Sequence, residues 1–334
     1  MWEIRRYDAS LKKEWDALAE EGRNTTFLFR RDYMEYHSPR FEDHSLLAYR
    51  KGKLRAILPA NIIGDTLYSH QGLTYGGWVY SSHGLDTTEI YLLWRAWLDY
   101  CRERGIRKII YKPLPYIYFR RPSEEDRYML FLSGAEKRAC SVSSAIDLAD
   151  NPGFNTLQKR HLKETAGIFY GHLITAPARG YVEEFHSLLQ TCLQERHSTL
   201  PVHTYEELQM LMDRFPDRIK IWGAYAEDEP GMLGGVCVYL TERCVHCQYI
   251  ATSARGRELN ILSPLFSEMI ERYAAEGYRF FDFGISNEEG GRYLNPGLNR
   301  QKTSYGASGV AYETYRISVS DALESLPSEL WPPR

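Results

Sequence analysis

The strongest constraint on the fold of this chain is an internal repeat. Residues 88–104 carry apolar side chains at helical spacing, a glycine follows, and residues 107–111 form an apolar run typical of a buried strand. The same helix, glycine and strand recur around Gly277, which lies 172 residues after the first glycine. Each copy follows two alternating segments with a turn between them, and these segments predict β-hairpins at 45–63 and 219–240.

Helical segments precede each predicted hairpin, so both halves share the order helices, antiparallel strands, helix and strand. The helical segments are 10–21, 31–37, 181–196 and 205–214. This order predicts an α/β fold with a mixed sheet and helices on its faces, in two copies. A duplication of any generic α/β unit would show the same periodicity. We expect domains at 1–150 and 151–334, because residues 141–148 alternate like a further strand of the first domain.

Length and composition exclude several classes of protein. The 334 residues can form two cores, and 43% hydrophobic with 25% charged residues is typical of a globular chain. No apolar stretch is long enough to predict a membrane-spanning helix, and the first residues lack the features of a signal peptide. A net charge of −3 gives no general attraction to nucleic acid. We therefore expect a cytoplasmic protein without an integral membrane segment and without DNA as a partner.

The cysteines and a search for common catalytic motifs give little evidence about function. Six cysteines at irregular spacing predict reduced thiols. Cys244, His246 and Cys247 are of metal-ligating types, but their segment alternates like a strand and no second ligand pair follows at zinc spacing. We expect no metal site. The chain also lacks a Gly-x-Ser-x-Gly elbow, a Walker A loop and a His-Glu-x-x-His motif.

The best candidate for a catalytic site lies near the end of the second repeat. Residues 280–284 read Phe-Phe-Asp-Phe-Gly, which places Asp282 at the carboxyl edge of a sheet, where α/β proteins bind ligands. Lys302 follows a glycine-containing loop and could neutralise phosphate or a developing oxyanion. Tyr305 could act as a general acid. We predict these three residues as catalytic; a capping role for Asp282 and simple packing for Tyr305 are the structural alternatives.

A second candidate cluster is basic. Lys159, Arg160 and Lys163 share one short predicted helix, and Arg196 lies at the end of another. The two groups could form one wall of an anion-binding cleft, although a solvated helix face explains the first three residues equally well. The residues that we assign to donor or substrate binding are Arg196, Lys302, Ser286, Asn299 and Arg160.

The order of elements and four motifs resemble the FemAB-like proteins. These are acyl- and aminoacyl-transferases of the Gcn5-related N-acetyltransferase (GNAT) superfamily that carry two such domains in one chain. The motifs lie at 71–77, at 157–167, at 193–197 with Pro201 and Tyr205, and in the pair Asp-Phe-Gly and Lys-x-x-aromatic-Gly within 282–306. The resemblance extends from about residue 25 to 315 and implies two tandem GNAT-like domains. It also implies direct transfer of an acyl or aminoacyl group onto an amine, or a hydroxyl, of a cell-envelope, peptidoglycan-precursor or sugar-linked acceptor.

The donor implied by the resemblance is either acyl-coenzyme A or aminoacyl-tRNA. Members that use coenzyme A carry Gln/Arg-x-x-Gly-x-Gly/Ala, whose backbone N–H groups hold pyrophosphate at a helix N-terminus. Here residues 257–262 have Asn260 and Leu262 at the two small-residue positions, and residues 81–86 do not match either. We expect no tightly bound cofactor. Because both loops depart from the pattern, the alternative function is a non-catalytic tandem module that binds a nucleotide-linked ligand or a protein partner.

Overall fold

The computed structural model describes residues 1–176, 178–197 and 199–327, without the side chains of residues 196 and 197. The chain divides into two compact units. The first contains Met1–Ser141, Asn287–Tyr293 and the chain from Ala311 onward. The second contains Val142–Ser286 and Leu294–Val310.

Strands and helices alternate along the chain as follows. The strands are β1 (Trp2–Arg6), β2 (Glu42–Asp43), β3 (Leu46–Arg50), β4 (Lys53–Leu58), β5 (Asn61–Ile63), β6 (Thr66–Tyr68), β7 (Val79–Tyr80), β8 (Lys108–Tyr111), β9 (Glu136–Asp147), β10 (Phe169–Ile174), β11 (Ile219–Ala226), β12 (Gly234–Leu240), β13 (Cys244–Thr252), β14 (Phe280–Ile285), β15 (Asn287–Glu288), β16 (Tyr293–Leu294) and β17 (Ser308–Ser318). The helices are α1 (Lys12–Glu21), α2 (Arg31–Met34), α3 (Thr87–Glu103), α4 (Glu125–Leu132), α5 (Thr156–Thr165), α6 (Arg179–His197), α7 (Tyr205–Arg214), α8 (Ala254–Glu258), α9 (Leu262–Ala275), α10 (Pro296–Thr303) and α11 (Val319–Ser325). No helix within the described ranges is long and apolar enough to cross a bilayer.

The first unit contains two groups of paired strands. One is antiparallel in the order β1-β3-β4-β7, and the other has the order β17-β8-β6-β5-β2 with β6 and β8 parallel. The apolar face of α3 fills the core between them. Its Trp94 and Trp97 rings lie 4.9 Å apart, and Trp97 contacts Trp78 at 5.6 Å. Edge-to-face contacts of this kind add to the stabilisation that comes from burial itself.

The second unit has a sheet in the order β10-β11-β12-β13-β14-β9. Its strands are antiparallel except for β13 and β14, which run parallel and are joined through α8 and α9. The ladder between the two parallel strands is short and ends where His246 lies opposite Asp282. Beyond this point β13 continues against β12 alone, while β14 pairs with β9 on its other side. The parallel strands therefore part at His246 and Asp282.

The predicted repeat and the mixed α/β fold class are confirmed. Gly105 and Gly277 both adopt a left-handed conformation after α3 and α9, which is the usual way for a glycine to end a helix. The repeat extends further than the sequence indicated, because β9 begins at Glu136 and β17 at Ser308, again 172 residues apart. The domain boundary near residue 150 stays a prediction, since the compact units exchange segments and the second unit includes the end of β9.

Candidate active site

Asp282 lies at the centre of a buried hydrogen-bond network at the end of the β13–β14 ladder. Its side chain has no exposed surface. The carboxylate accepts a hydrogen bond from Ser143 Oγ, one of 2.8 Å from His246 Nδ1 and one of 3.0 Å from the Gly284 backbone N–H. A buried carboxylate without such donors would be costly, so these three bonds stabilise its charged form.

The contact with Asp282 fixes the orientation of His246. Because Nδ1 donates to the carboxylate, the lone pair of the neutral imidazole lies on Nε2. An imidazole held in this way by a carboxylate is suited to take a proton from an attacking group. Ser143 donates its hydroxyl proton to Asp282 instead of contacting the imidazole, so the three residues are not arranged as a Ser-His-Asp triad. Ser143 orients the carboxylate.

Gly284 turns the chain at the end of β14. Its φ of 79° lies in the left-handed region that favours glycine. This turn directs the Gly284 N–H to Asp282, and a side-chain Cβ at this position would lie 3.7 Å from His246 Cε1. The glycine of the Asp-Phe-Gly signature therefore helps to build the network.

Lys302 closes the same end of β14 from the last turn of α10. Its Nζ donates to the carbonyl oxygens of Gly284 and Ile285, at 2.8 and 2.6 Å. Only 6% of the residue is exposed. Burial lowers the pKa of Lys302 to about 8, although the negative charge of Asp282 acts in the opposite direction. In the described part of the chain these two carbonyls are its hydrogen-bond partners, so one of the three ammonium protons remains for a ligand.

Cys247 lies beside this network but has the properties of a structural thiol. Burial raises the pKa of Cys247 well above its usual value, and the charge of Asp282 adds to the effect. A neutral, buried thiol is a poor nucleophile and a poor metal ligand. Within the described ranges, no group of three or more His, Cys, Asp or Glu side chains is placed to hold a metal ion.

Tyr305 lies in the aromatic core of the second unit. Its ring stacks on Phe283 at 5.6 Å and contacts Phe266 at 5.0 Å and Phe154 at 5.2 Å. Only 2% of the residue is exposed, and burial raises the pKa of Tyr305. These contacts account for its place in the signature through packing, and its role as a general acid stays a prediction.

The predicted binding residues occupy different surroundings. Ser286 directly follows β14 and is 2% exposed, and its hydroxyl has no hydrogen-bond partner among the described residues. Asn299 is partly exposed on α10, one turn before Lys302. Arg160 is exposed on α5 and forms an ion pair with Glu164 at 3.3 Å. The side chain of Arg196 lies outside the described residues. Ser286 thus follows the strand that carries Asp282, and Asn299 lies on the same helix as Lys302. Arg160 instead forms its ion pair on the surface of α5.

Comparison with known proteins finds a family model that matches part of the chain, mostly in its second half. Residues 157–293 match the family model described as an acetyltransferase (GNAT) domain. This segment of the chain is similar to GNAT acetyltransferase domains. The matched segment contains His246 and Asp282. A comparison with curated proteins finds no match.

Solved structures share the fold over nearly the full chain. FemX superposes with a TM-score of 0.64 and 11% identity, covering 93% of this chain and 96% of its own. L-PGS from Bacillus licheniformis gives a TM-score of 0.60 and 12% identity, with 95% of each chain covered. A tandem GNAT protein from the clavulanic acid biosynthesis pathway gives 0.51 and 14%, covering 96% and 99%. The chain therefore has the fold of these proteins, one of which is a tandem GNAT protein, as the resemblance predicted.

The start of α9 has few free backbone amides for the pyrophosphate of a coenzyme A donor. The N–H groups of Asn260, Ile261 and Ser263 already bond to carbonyls of the preceding turn, and Pro264 has no N–H. A pyrophosphate cradle needs several unpaired amides at a helix N-terminus. In the first unit the side chain of Asp86 caps the equivalent helix α3. Neither helix start has the arrangement that holds pyrophosphate.

Sequence reasoning missed two residues of the network around Asp282, His246 and Ser143. His246 drew notice only as a neighbour of two cysteines. The parallel pairing of the strands before and after α9 would have placed it near Asp282, since that pairing is implied by the β-α-β order. Ser143 lies on β9, on the other side of the expected domain boundary. No local pattern indicates that β9 pairs with β14.

Proposed function

We propose that this protein transfers an acyl or aminoacyl group onto an amine of a cell-envelope or sugar-linked acceptor, with His246 as the general base. The observation that carries the proposal is the buried pair of His246 and Asp282 at the point where β13 and β14 part. The likeness of residues 157–293 to a GNAT acetyltransferase domain supports the reaction class. The FemAB-like resemblance supplies the acceptor class.

The reaction proceeds by direct attack. The acceptor amine adds to the activated carbonyl carbon of the donor, and His246 Nε2 takes the proton that the nitrogen loses. A C–N bond forms, the ester or thioester bond of the donor breaks, and the proton passes to the departing oxygen or sulfur. Asp282 stabilises the imidazolium that exists between these steps, and Ser143 keeps Asp282 in position. No covalent intermediate with the enzyme is required.

Lys302 stabilises negative charge during the transfer. Two backbone carbonyls hold its ammonium at the end of β14, which fixes its position before substrate binds. A preorganised, buried cation interacts more strongly with a developing oxyanion than a mobile surface lysine does. Its remaining N–H is directed to the carbonyl oxygen of the donor or to a phosphate group of a substrate.

Aminoacyl-tRNA is the favoured donor. The paired amides at the start of α9 leave little room for the pyrophosphate contacts that coenzyme A uses. FemAB-like ligases use charged tRNA, and the overall likeness to FemX is consistent with a donor of this kind. An acyl-coenzyme A donor is the alternative that the experiment separates.

A transfer assay tests the proposal. The purified protein is incubated with UDP-linked peptidoglycan precursor and, in separate reactions, with tRNA charged with different amino acids, acetyl-coenzyme A and longer acyl-coenzyme A. Mass spectrometry of the acceptor reports the added group. We expect a mass increase with charged tRNA that depends on Asp282 and is lost in Asp282→Asn. A mass increase only with acyl-coenzyme A would show that this compound, and not aminoacyl-tRNA, is the donor. No product from any pair would contradict the proposed function.

A matched variant shows whether a loss reflects chemistry or folding. Asp217 is exposed, so Asp217→Asn makes the same chemical change away from the network. We expect this control to retain full transfer. Equal losses in both variants would mean that Asp282 has no particular part in the reaction.

A further inference from the structure

The first unit contains a lysine whose charge has no carboxylate partner. Lys112 follows β8 and is partly exposed. Its Nζ donates to the carbonyl oxygen of Leu73 at 2.6 Å, which is its hydrogen-bond partner in the described part of the chain. Two ammonium protons are therefore left for a ligand or solvent. Burial lowers the pKa of Lys112 to about 8, with no opposing contribution from a nearby carboxylate.

A histidine with an unpaired ring nitrogen lies on the turn that contains Leu73. His70 is 4% exposed, and its Nδ1 is buried without a hydrogen-bond partner among the described residues. Leu73 joins the two groups, since its N–H donates to the carbonyl of His70 at 3.3 Å and its carbonyl accepts from Lys112. Burial lowers the pKa of His70 to about 3, so the ring is neutral and one of its nitrogens carries a proton. His70 has a φ of 62°, which is uncommon for a residue other than glycine.

The loop that carries His70 is held rigidly. A Cβ on Gly72 would lie 2.8 Å from the His37 ring, and a Cβ on Gly76 would lie 2.0 Å from the carbonyl oxygen of Ser69. Ser69 in turn accepts a hydrogen bond from the Lys112 backbone at 2.8 Å. A backbone strained at one residue persists only where the surroundings fix it, and strained residues cluster at binding sites.

No neighbouring carboxylate among the described residues neutralises the positive charge of Lys112. Asp43 is the carboxylate whose charge acts on His70, but it is bonded to the guanidinium of Arg31 and accepts a further bond from the Ser45 N–H at 2.7 Å. Its negative charge is thus already paired. A positive group, an unpaired buried nitrogen and a fixed loop are the elements of a site for a negatively charged group.

We propose that residues 69–77 and Lys112 of the first unit form a binding site for an anionic group, a carboxylate or a phosphate, which accepts hydrogen bonds from the Lys112 ammonium and the His70 imidazole. The site does not depend on the proposed transfer reaction, because it shares no residue with the network around Asp282. The anion would supply hydrogen-bond acceptors for the Lys112 ammonium and the His70 imidazole, which the described residues do not supply.

The experiment measures the thermal unfolding midpoint of the full chain during titration with sodium phosphate and with sodium acetate, with sodium chloride holding the ionic strength constant. Specific binding to the folded state raises the midpoint in a saturable way. The variants are Lys112→Met, Lys112→Arg and, as a matched control, Lys108→Met, since Lys108 is exposed at the start of β8. Lys302→Met separates this site from the second unit.

We expect a saturable rise with one of the two anions in the wild type, in Lys108→Met and in Lys302→Met. The anion that gives the saturable rise shows whether the site binds a phosphate or a carboxylate. Lys112→Met should lose the rise, and Lys112→Arg should keep at least part of it. Three results would overturn the proposal: no saturable rise in the wild type, an equal rise in Lys112→Met, or a rise that disappears in Lys302→Met but not in Lys112→Met.

Discussion

Two buried carboxylates in this protein differ in the hydrogen-bond donors that stabilise their charge. Asp282 accepts three hydrogen bonds in the second unit. Asp126, in the first unit, is also buried but accepts a longer bond of 3.2 Å from the Tyr111 hydroxyl. Burial raises the pKa of Asp126 to about 6, from 3.8. The folded state therefore holds a proton on Asp126 more tightly than the unfolded chain does, and charging it on folding costs free energy.

The first prediction concerns this cost. Because the folded pKa is raised, stability falls as pH rises from about 4 to about 6, and the full cost is present above that range. Asp126→Asn removes the charge and keeps an oxygen for Tyr111. We expect its free energy of unfolding to exceed that of the wild type by roughly 1–3 kcal/mol at about pH 8, with a smaller gain at about pH 5.

Urea denaturation at the two pH values provides the measurement, with Asp217→Asn as an exposed control. A gain of the same size at both pH values would show that the charge of Asp126 is not its cause. So would an equal gain in the control.

Residue identity alone singled out Asp282 and Lys302 as candidates, because both belong to a signature with a recognisable order, and their catalytic roles stay predictions. It was not enough for His246 and Ser143, whose roles arise from strand pairing across the sheet. Tyr305 belongs to the signature, but its residue type does not decide its role. A phenol in a signature is compatible with both catalysis and packing, and its place in the aromatic core depends on contacts with distant residues such as Phe154.

At the scale of elements, glycines fix the loops that carry polar groups. Gly76 lies in the 71–77 segment that the sequence singled out by resemblance. Its conformation does not require glycine, but a Cβ there would meet the carbonyl oxygen of Ser69 at 2.0 Å, so space alone excludes a side chain. The close approach lets the loop pair with the end of β8, since the Gly76 N–H donates to the Lys112 carbonyl at 2.8 Å.

The second prediction follows from this approach. Gly76→Ala should lower the free energy of unfolding by roughly 1–3 kcal/mol, because backbone atoms must move to make room. Gly180→Ala is the matched control. A Cβ on Gly180, in α6, would meet nothing within 4 Å, so this change should be neutral or stabilise by up to ~1 kcal/mol. Chemical denaturation measures the free energy of unfolding of both variants. Equal changes in the two would show that the close approach of Gly76 to Ser69 does not exclude a side chain.

The elements themselves were largely predictable from periodicity. The predicted helix at 205–214 agrees with α7 (Tyr205–Arg214), and the predicted hairpins correspond to β3 with β4 and to β11 with β12. Pairing between elements distant in sequence was not predictable in the same way. The alternation at 141–148 identifies a strand but says nothing about its neighbour, and the partner is β14.

At the scale of the whole molecule, the repeat in sequence and the compact units in space have different limits. The second unit begins at Val142 and ends at Val310. It includes Ser143, which bonds to Asp282, and the strand end that pairs with β14. A cut at residue 150 would remove both and leave an edge of β14 without its partner, which promotes aggregation.

The third prediction compares two fragments of the chain. Residues 142–310 contain all of the second unit, and we expect this fragment to unfold cooperatively. Residues 151–334 lack the end of β9, and we expect this fragment to aggregate or to lose its cooperative transition. Circular dichroism during heating and size-exclusion chromatography provide the comparison. Cooperative unfolding of 151–334 alone would show that the end of β9 is dispensable.

The most direct test of the proposed mechanism is the rate of acyl or aminoacyl transfer by His246→Asn under single-turnover conditions. The control is His172→Asn, since His172 is an exposed residue of β10. If His246 takes the proton of the attacking amine, the variant should lose about 10²-fold or more of the rate, while the control stays near the wild type. The loss in the double variant with Asp282→Asn should be little greater, because the two residues act together. A His246→Asn rate within about twofold of the wild type would contradict the central claim.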